Sequence, residues 1–181
     1  MNSSHQSTHE IEPVDSRTLR RVCGLFVTGV TVITAGDDGH EVGTTVNSFT
    51  SVSLDPPLVL FCLHHRSRLR ADLRESGRFA VNFLARRQER LARAFAGKQT
   101  ASFDYVVYHH SAQGVPILSE ALAFLSCNIV DEFPGGDHTI VLGEVVELGI
   151  PRRRQEPLTF FEGSFGALED ELRAAYSTWD G

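Results

Sequence analysis

The chain has 181 residues, 41% of them hydrophobic, with a formal net charge of -6 and an isoelectric point near 5.7. That length supports one well-buried core and is short for two. The acidic balance removes the broad electrostatic attraction behind non-specific binding to nucleic acid or to an anionic membrane, so neither is an expected partner.

Cys23, Cys62 and Cys127 are odd in number, far apart in apolar sequence and free of Cys-x-x-Cys spacing. They are expected to be reduced packing residues of a cytoplasmic protein. Residues 1–15 lack the apolar core of a signal peptide and read as a disordered N-terminal tail. The longest uninterrupted apolar run, Leu58 to Leu63, is far shorter than a membrane span.

Ser16 is suited to cap a helix that gathers Leu19, Val22, Cys23 and Phe26 on one face, which should pack on a sheet, before Gly29 ends it. The β-branched run Val30 to Ala35 leads into Gly36-Asp37-Asp38-Gly39, the composition of a hairpin turn into a second strand. A polar segment, Thr44 to Ser53, then connects to Asp55-Pro56-Pro57 and to Leu58–Leu63, a continuous apolar strand expected to be buried on both faces.

Leu69 and Leu73 mark a helix over 68–76 that stops at Gly77, and 79–84 returns to strand character. Between Arg86 and Phe95, apolar residues interleaved with arginines predict a surface helix closed by Gly97. Strands over 124–133 and 138–148 flank the turn Pro134-Gly135-Gly136-Asp137, and Leu158–Phe161 is the last core element. The reading is a mostly β domain over 16–168, a closed or nearly closed antiparallel β-barrel with peripheral α-helices, followed by a tail over 169–181.

From Gly43 to Leu54, short donors and acceptors crowd together between apolar strands. Their backbone amides, with Asn47 and Ser48, match the edge of a flat ligand rich in carbonyls and ring nitrogens, and Thr and Ser hydroxyls suit a ribityl chain. A solvent-facing strand and loop would have the same composition, and the pattern alone leaves both readings open.

The blocks Gly29–Thr34 (GVTVIT) and Asn47–Val59 (NSFTSVSLDPPLV) resemble the signature of short-chain flavin reductases, the reductase partners of two-component flavin-dependent monooxygenases. The similarity continues through Gly77–Leu84, Phe95–Lys98, Gly136-Asp137-His138 and Pro157–Gly163. It implies a flavin-binding split barrel, a homodimer with flavin near the subunit interface, and hydride transfer from NADH, or NADPH, to FAD or FMN. By this resemblance Thr44, Thr45, Val46, Asn47 and Ser48 line the flavin ring and ribityl region. Cys62, Leu63 and His64 follow the strand toward the flavin tail, Cys62 by its backbone. Ser67 and Arg68 hold a phosphate at a helix start, and Ala94 and Phe95 supply a further contact. His138, with Gly163 and Phe165, is assigned to NAD(P)H, with no residue named as an obligatory acid or base.

The sequence departs from the family at Val46, where a small residue is common, and at Arg68, where a threonine is common. Both leave the choice between FMN and FAD open, although an arginine is suited to the second phosphate or adenine of FAD. His64-His65 and His109-His110 are adjacent pairs whose side chains point to opposite faces of a strand, so no metal site is expected. Arg152-Arg153-Arg154 reads as a solvated charge run. A non-catalytic flavin carrier on the same fold is the competing function, and the Gly-Asp-His block argues against it.

Overall fold

The strand pair on either side of Gly36 and Gly39 begins a sheet whose two edges are brought back together. The computed structural model describes residues 11–36, 39–97, 103–150 and 155–168. Helix α1 (Ser16–Gly24) leads into β1 (Thr28–Gly29), β2 (Thr31–Ala35), β3 (Val42–Val46), β4 (Thr50–Leu54) and β5 (Pro57–His64). After α2 (Leu69–Ser76) and β6 (Arg78–Phe83) come α3 (Glu89–Phe95), a small hairpin β7 (Tyr108–His110) and β8 (Pro116–Leu118), then the long pair β9 (Ala123–Gly135) and β10 (His138–Gly149). The hairpin β11 (Thr159–Phe161) and β12 (Ser164–Gly166) ends the fold and pairs with β1.

Seven strands hydrogen-bond in the order β3-β2-β6-β9-β10-β5-β4, each antiparallel to its neighbours. The edge strands β3 and β4 are consecutive in the chain and separated only by Asn47, Ser48 and Phe49. Three residues reach no further than about 14 Å even when extended, so the two edges must face each other. Ser48 fastens the seam: its hydroxyl donates to the Cys62 carbonyl at 3.2 Å and accepts from the Cys62 N–H at 3.0 Å. The result is a barrel with one seam not closed by a strand ladder, a split barrel. The segment expected to be a polar connection is thus two strands and a corner, because Thr and Val at its ends pair as readily as any β-branched residues.

β2 is buried on both faces. Ile33 and Ala35 join Phe61, Phe79, Val81 and Val141 in the barrel core, which α2 covers with Leu69 and Leu73. Val30 and Val32 join Leu84, Ala92, Phe95, Phe103 and Leu118 in a second core beneath α3 and the small hairpin. Asn82 on β6 ties the two regions: its amide donates to Val32 O at 3.1 Å and Thr34 Oγ1 at 3.0 Å, and its Oδ1 accepts from Leu118 N–H at 2.8 Å. Where β10 crosses the core, Gly143 is required because a Cβ would come within 2.5 Å of the buried Phe79 ring.

Three expectations change. Asp15, not Ser16, caps α1, accepting from the Arg17 and Thr18 N–H groups at 2.8 and 2.9 Å. Among the described residues the apolar face of α1 packs on no sheet: Leu19 and Val22 are 56% exposed, Phe26 is 76% exposed, and Cys23 is exposed rather than packed. β5 buries one face, Val59, Phe61 and Leu63, while Leu58, Leu60 and Cys62 are half-buried under the neighbouring seam. By contrast α2 ends as expected, at Gly77 with φ of 63°. The arginine run 152–154 and the tail over 169–181 lie outside the described residues.

Candidate functional site

β3 and its exit corner contribute to two cavities, the corner Asn47–Phe49 to the first and Val42–Thr44 to the second. The first, about 650 Å³, is mainly apolar and lined by Phe26, Val30, Phe49, Phe83 and Leu158 together with Asn47, Ser48 and Thr28. Within its lining the Thr28 hydroxyl is buried without a hydrogen-bond partner. A buried hydroxyl in that condition costs free energy unless something else in the cavity meets it.

The second cavity, about 630 Å³, is lined by Thr44, His64, Arg66, Ser67, Arg68, His40 and Asp72 over a floor of Gly43 and Phe95. Gly43 makes that floor possible, since a Cβ there would lie 2.8 Å from the Phe95 ring. Ser67 and Arg68 precede α2, and no side chain caps that helix, so its positive dipole end lies at the cavity wall, while the Arg70 and Ala71 N–H groups bond back to Ser67 O and Arg68 O. His40 and Asp72 meet across the mouth at 3.0 Å.

The sequence-derived residues divide among these places. Asn47 and Ser48 line the first cavity; Thr44, His64, Ser67, Arg68 and Phe95 line the second. Thr45 turns away, its hydroxyl donating to Ala92 O at 2.8 Å, and Val46 packs on the barrel core. Leu63 is a core residue at 2% exposure, and Phe95 at 3% exposure belongs mainly to the second core. The Cys62 backbone expected to meet a ligand is already bonded to Ser48, which also engages the Ser48 hydroxyl and leaves that residue its backbone for recognition. Cys127 is buried on β9, and burial pushes its thiol up to about 12.

His138 opens β10 directly across from His64 at the end of β5. The two imidazoles meet edge to face with centroids 5.0 Å apart. Asp137 lies between them, its Oδ1 at 2.7 Å from His138 Nδ1 and its Oδ2 at 3.9 Å from His64 Nε2. The hydrogen bond from His138 holds the Asp137 carboxyl below the ordinary carboxylate range. Treating the histidines as sequence-adjacent pairs missed this grouping; the turn signals where β10 begins at His138, but the pairing of β10 with β5 that brings His64 opposite is long-range and leaves no local signal. Gly163 and Phe165 sit in the other sheet. Gly163 has φ of 78° in the β11–β12 turn, and Phe165 packs on Phe160 and under the Arg93 guanidinium.

A split barrel with a corner, two flanking cavities and a Gly-Asp-His turn can now be set beside known proteins. The family model described as "Flavin reductase like domain" matches residues 23–169. The chain belongs to the flavin reductase family. It is 39% identical over 159 residues to the reductase subunit of a flavin-dependent monooxygenase from Mycobacterium tuberculosis, covering 87% of this chain and 85% of that one. It is 39% identical over 168 residues to the reductase component of a 4-nitrophenol 4-monooxygenase/4-nitrocatechol 2-monooxygenase from Rhodococcus opacus, covering 93% and 89%. Among solved structures, a Streptomyces globisporus NADH:FAD oxidoreductase, in complex with NAD and FAD fragments, superposes with a TM-score of 0.82 at 41% identity, covering 89% and 99%. Among the described residues of this flavin reductase, no helix is long and apolar enough to cross a membrane.

Proposed function

We propose that the chain is an NAD(P)H:flavin oxidoreductase that moves hydride from NADH to FAD or FMN and releases reduced flavin to a separate monooxygenase. The observation that carries the reading is β3 with its exit corner: Val42, Gly43 and Thr44 line the polar cavity, and Asn47, Ser48 and Phe49 line the apolar one. A flavin is a flat, largely apolar ring with a polyol and a phosphate on one side, and the two cavities offer that division in the same order. The residues fit it. Phe49, Phe83 and Leu158 suit the ring, the unpartnered Thr28 hydroxyl and the Asn47 amide suit its polar edge, and Thr44 leads toward Ser67, Arg68 and the open helix end.

Flavin, when bound, supplies the ring that accepts the hydride. The chain's own part is to hold two nucleotides face to face and to keep bulk water from the apolar wall, so its contribution is proximity and orientation rather than proton transfer by a side chain. Purified protein supplied with NADH is expected to oxidise it with FAD and FMN, followed by the loss of absorbance at 340 nm (a wavelength of about that value reports reduced nicotinamide in dinucleotide-dependent enzymes). No oxidation with either flavin would refute the proposal. His138→Ala is expected to raise the KM for NADH about tenfold, by removal of one polar contact, and the KM for flavin less.

We also propose a homodimer. Leu19, Val22 and Phe26 form an apolar face on α1 and its exit that is exposed among the described residues, and Phe26 is shared with the wall of the first cavity, so a second copy would complete that wall. A monomer in sedimentation at micromolar concentration would refute this. The proposed compartment is the cytoplasm, whose reducing conditions keep the exposed Cys23 as a thiol; recovery in a membrane or secreted fraction would refute that.

A further inference from the structure

Where the turn between β9 and β10 meets the end of β5, two imidazoles and one carboxylate come together, and their hydrogen bonds determine which ring nitrogen holds a proton. The Arg66 N–H donates to His64 Nδ1 at 3.0 Å. A neutral His64 therefore carries its proton on Nε2, the nitrogen that faces Asp137 Oδ2. At His138 the arrangement is reversed. Asp137 Oδ1 is 2.7 Å from Nδ1, and the carboxyl is held ionised by that hydrogen bond, so a neutral His138 carries its proton on Nδ1 and leaves Nε2 as a bare acceptor.

The backbone fixes Asp137 for this task. Gly136 has φ of 72°, the first position of a two-residue turn between paired Gly135 and His138. The His65 N–H donates to Asp137 O at 3.0 Å, clamping the turn to the end of β5 beside the second cavity. His138 remains 39% exposed at its side chain, so Nε2 is reachable.

We propose that Asp137 is a positioning residue for the nicotinamide dinucleotide. By fixing the His138 tautomer, it makes Nε2 an acceptor for a neutral N–H or O–H donor of the dinucleotide, either the nicotinamide carboxamide or a ribose hydroxyl. This inference rests on His138 being the dinucleotide contact. The His138 ring is then an acceptor for a neutral donor and not a cation for a phosphate, and Asp137 sets that polarity.

The test combines kinetics with direct observation of the ring, at pH 8, above the ordinary imidazole range of about 6.5. Asp137→Ala is expected to raise the KM for NADH about threefold to tenfold with the KM for flavin and kcat nearly unchanged, and Asp137→Asn, which keeps a neutral acceptor, to fall between it and the parent. In the double variant with His138→Ala, the effect should be no larger than that of His138→Ala alone, because Asp137 acts only through that ring. Nitrogen-15 NMR of the histidine rings should show His138 as the Nδ1–H tautomer in the parent and a shift toward Nε2–H in Asp137→Ala. The reduced 3-acetylpyridine analogue of NADH, which lacks the carboxamide N–H, separates the donors. Loss of the His138→Ala penalty with the analogue identifies the carboxamide, and persistence identifies a hydroxyl.

Unchanged NADH KM and tautomer in Asp137→Ala, or full additivity with His138→Ala, would overturn the inference while leaving the dinucleotide site intact. An unchanged NADH KM in His138→Ala would instead remove the site reading, and the inference with it.

Discussion

Arg68→Ala is expected to raise the KM for both FAD and FMN roughly 10- to 100-fold while moving the KM for riboflavin by less than about twofold. The magnitude follows from the charge: a hydrogen bond to an ionised group contributes about 1.5–3 kcal/mol, and riboflavin has no phosphate to lose it from. Ser67 and Arg68 stand where α2 begins without a side-chain cap, so the positive end of the helix dipole adds to the guanidinium in the same direction. Asp72 in the first turn would oppose an anion, but His40 engages its carboxylate at 3.0 Å. Arg68→Lys should lie between the two, retaining charge but not the fork that grips two oxygens at once. Steady-state rates with FAD, FMN and riboflavin in parallel decide it. An equal rise for all three flavins would move the phosphate away from α2 and assign the second cavity to another part of the ligand.

Much of the barrel was legible because local chemistry and tertiary demand agree there. The β-branched run before Gly36, the Leu69 and Leu73 spacing before Gly77, and the turn before His138 each point to the element that forms. The seam was not legible. Thr44 to Ser53 is polar because β3 and β4 are edge strands with one face away from the core, and composition alone cannot separate an edge strand from a loop. Nor does a single strand show that Ser48 will meet Cys62, since that contact exists only once the barrel curls.

The α1 face illustrates the opposite case. Its periodicity is that of a buried helix, yet none of the described residues covers it, since apolar spacing shows that a face can be covered and not by what. At the site, the resemblance located the residues by sequence position, while geometry separated those that line the cavities from Thr45, Val46 and Leu63, which serve packing and the α3 contact. Asp137 escaped because its partners, His64 and His138, are 74 positions apart in the chain (138 less 64) and adjacent only across two strands.

Asn82→Leu should destabilise the protein by about 3 kcal/mol or more without altering either cavity's lining. Asn82 is fully buried and its side chain bridges two strands, bonding Val32 and Thr34 on β2 and the Leu118 N–H of β8. Leucine keeps the branching but not the polarity, so the Val32 carbonyl and the Leu118 N–H lose their amide partner in an apolar interior at about 1–3 kcal/mol each, and the bulkier methyls add to the cost. For a chain of this size the melting temperature should fall roughly 2–4 °C per kcal/mol, about 6–12 °C in all. Thr34 sharpens the test, because its hydroxyl also donates to Pro116 O at 2.5 Å and so belongs to the same network. Adding Thr34→Val to Asn82→Leu removes that hydroxyl and leaves the Pro116 carbonyl without its donor, so the double variant should melt no higher than the single one. A double variant as stable as the parent would show that the small hairpin is held by its apolar contacts, Ile117 and Leu118, and that the buried amide only selects its register.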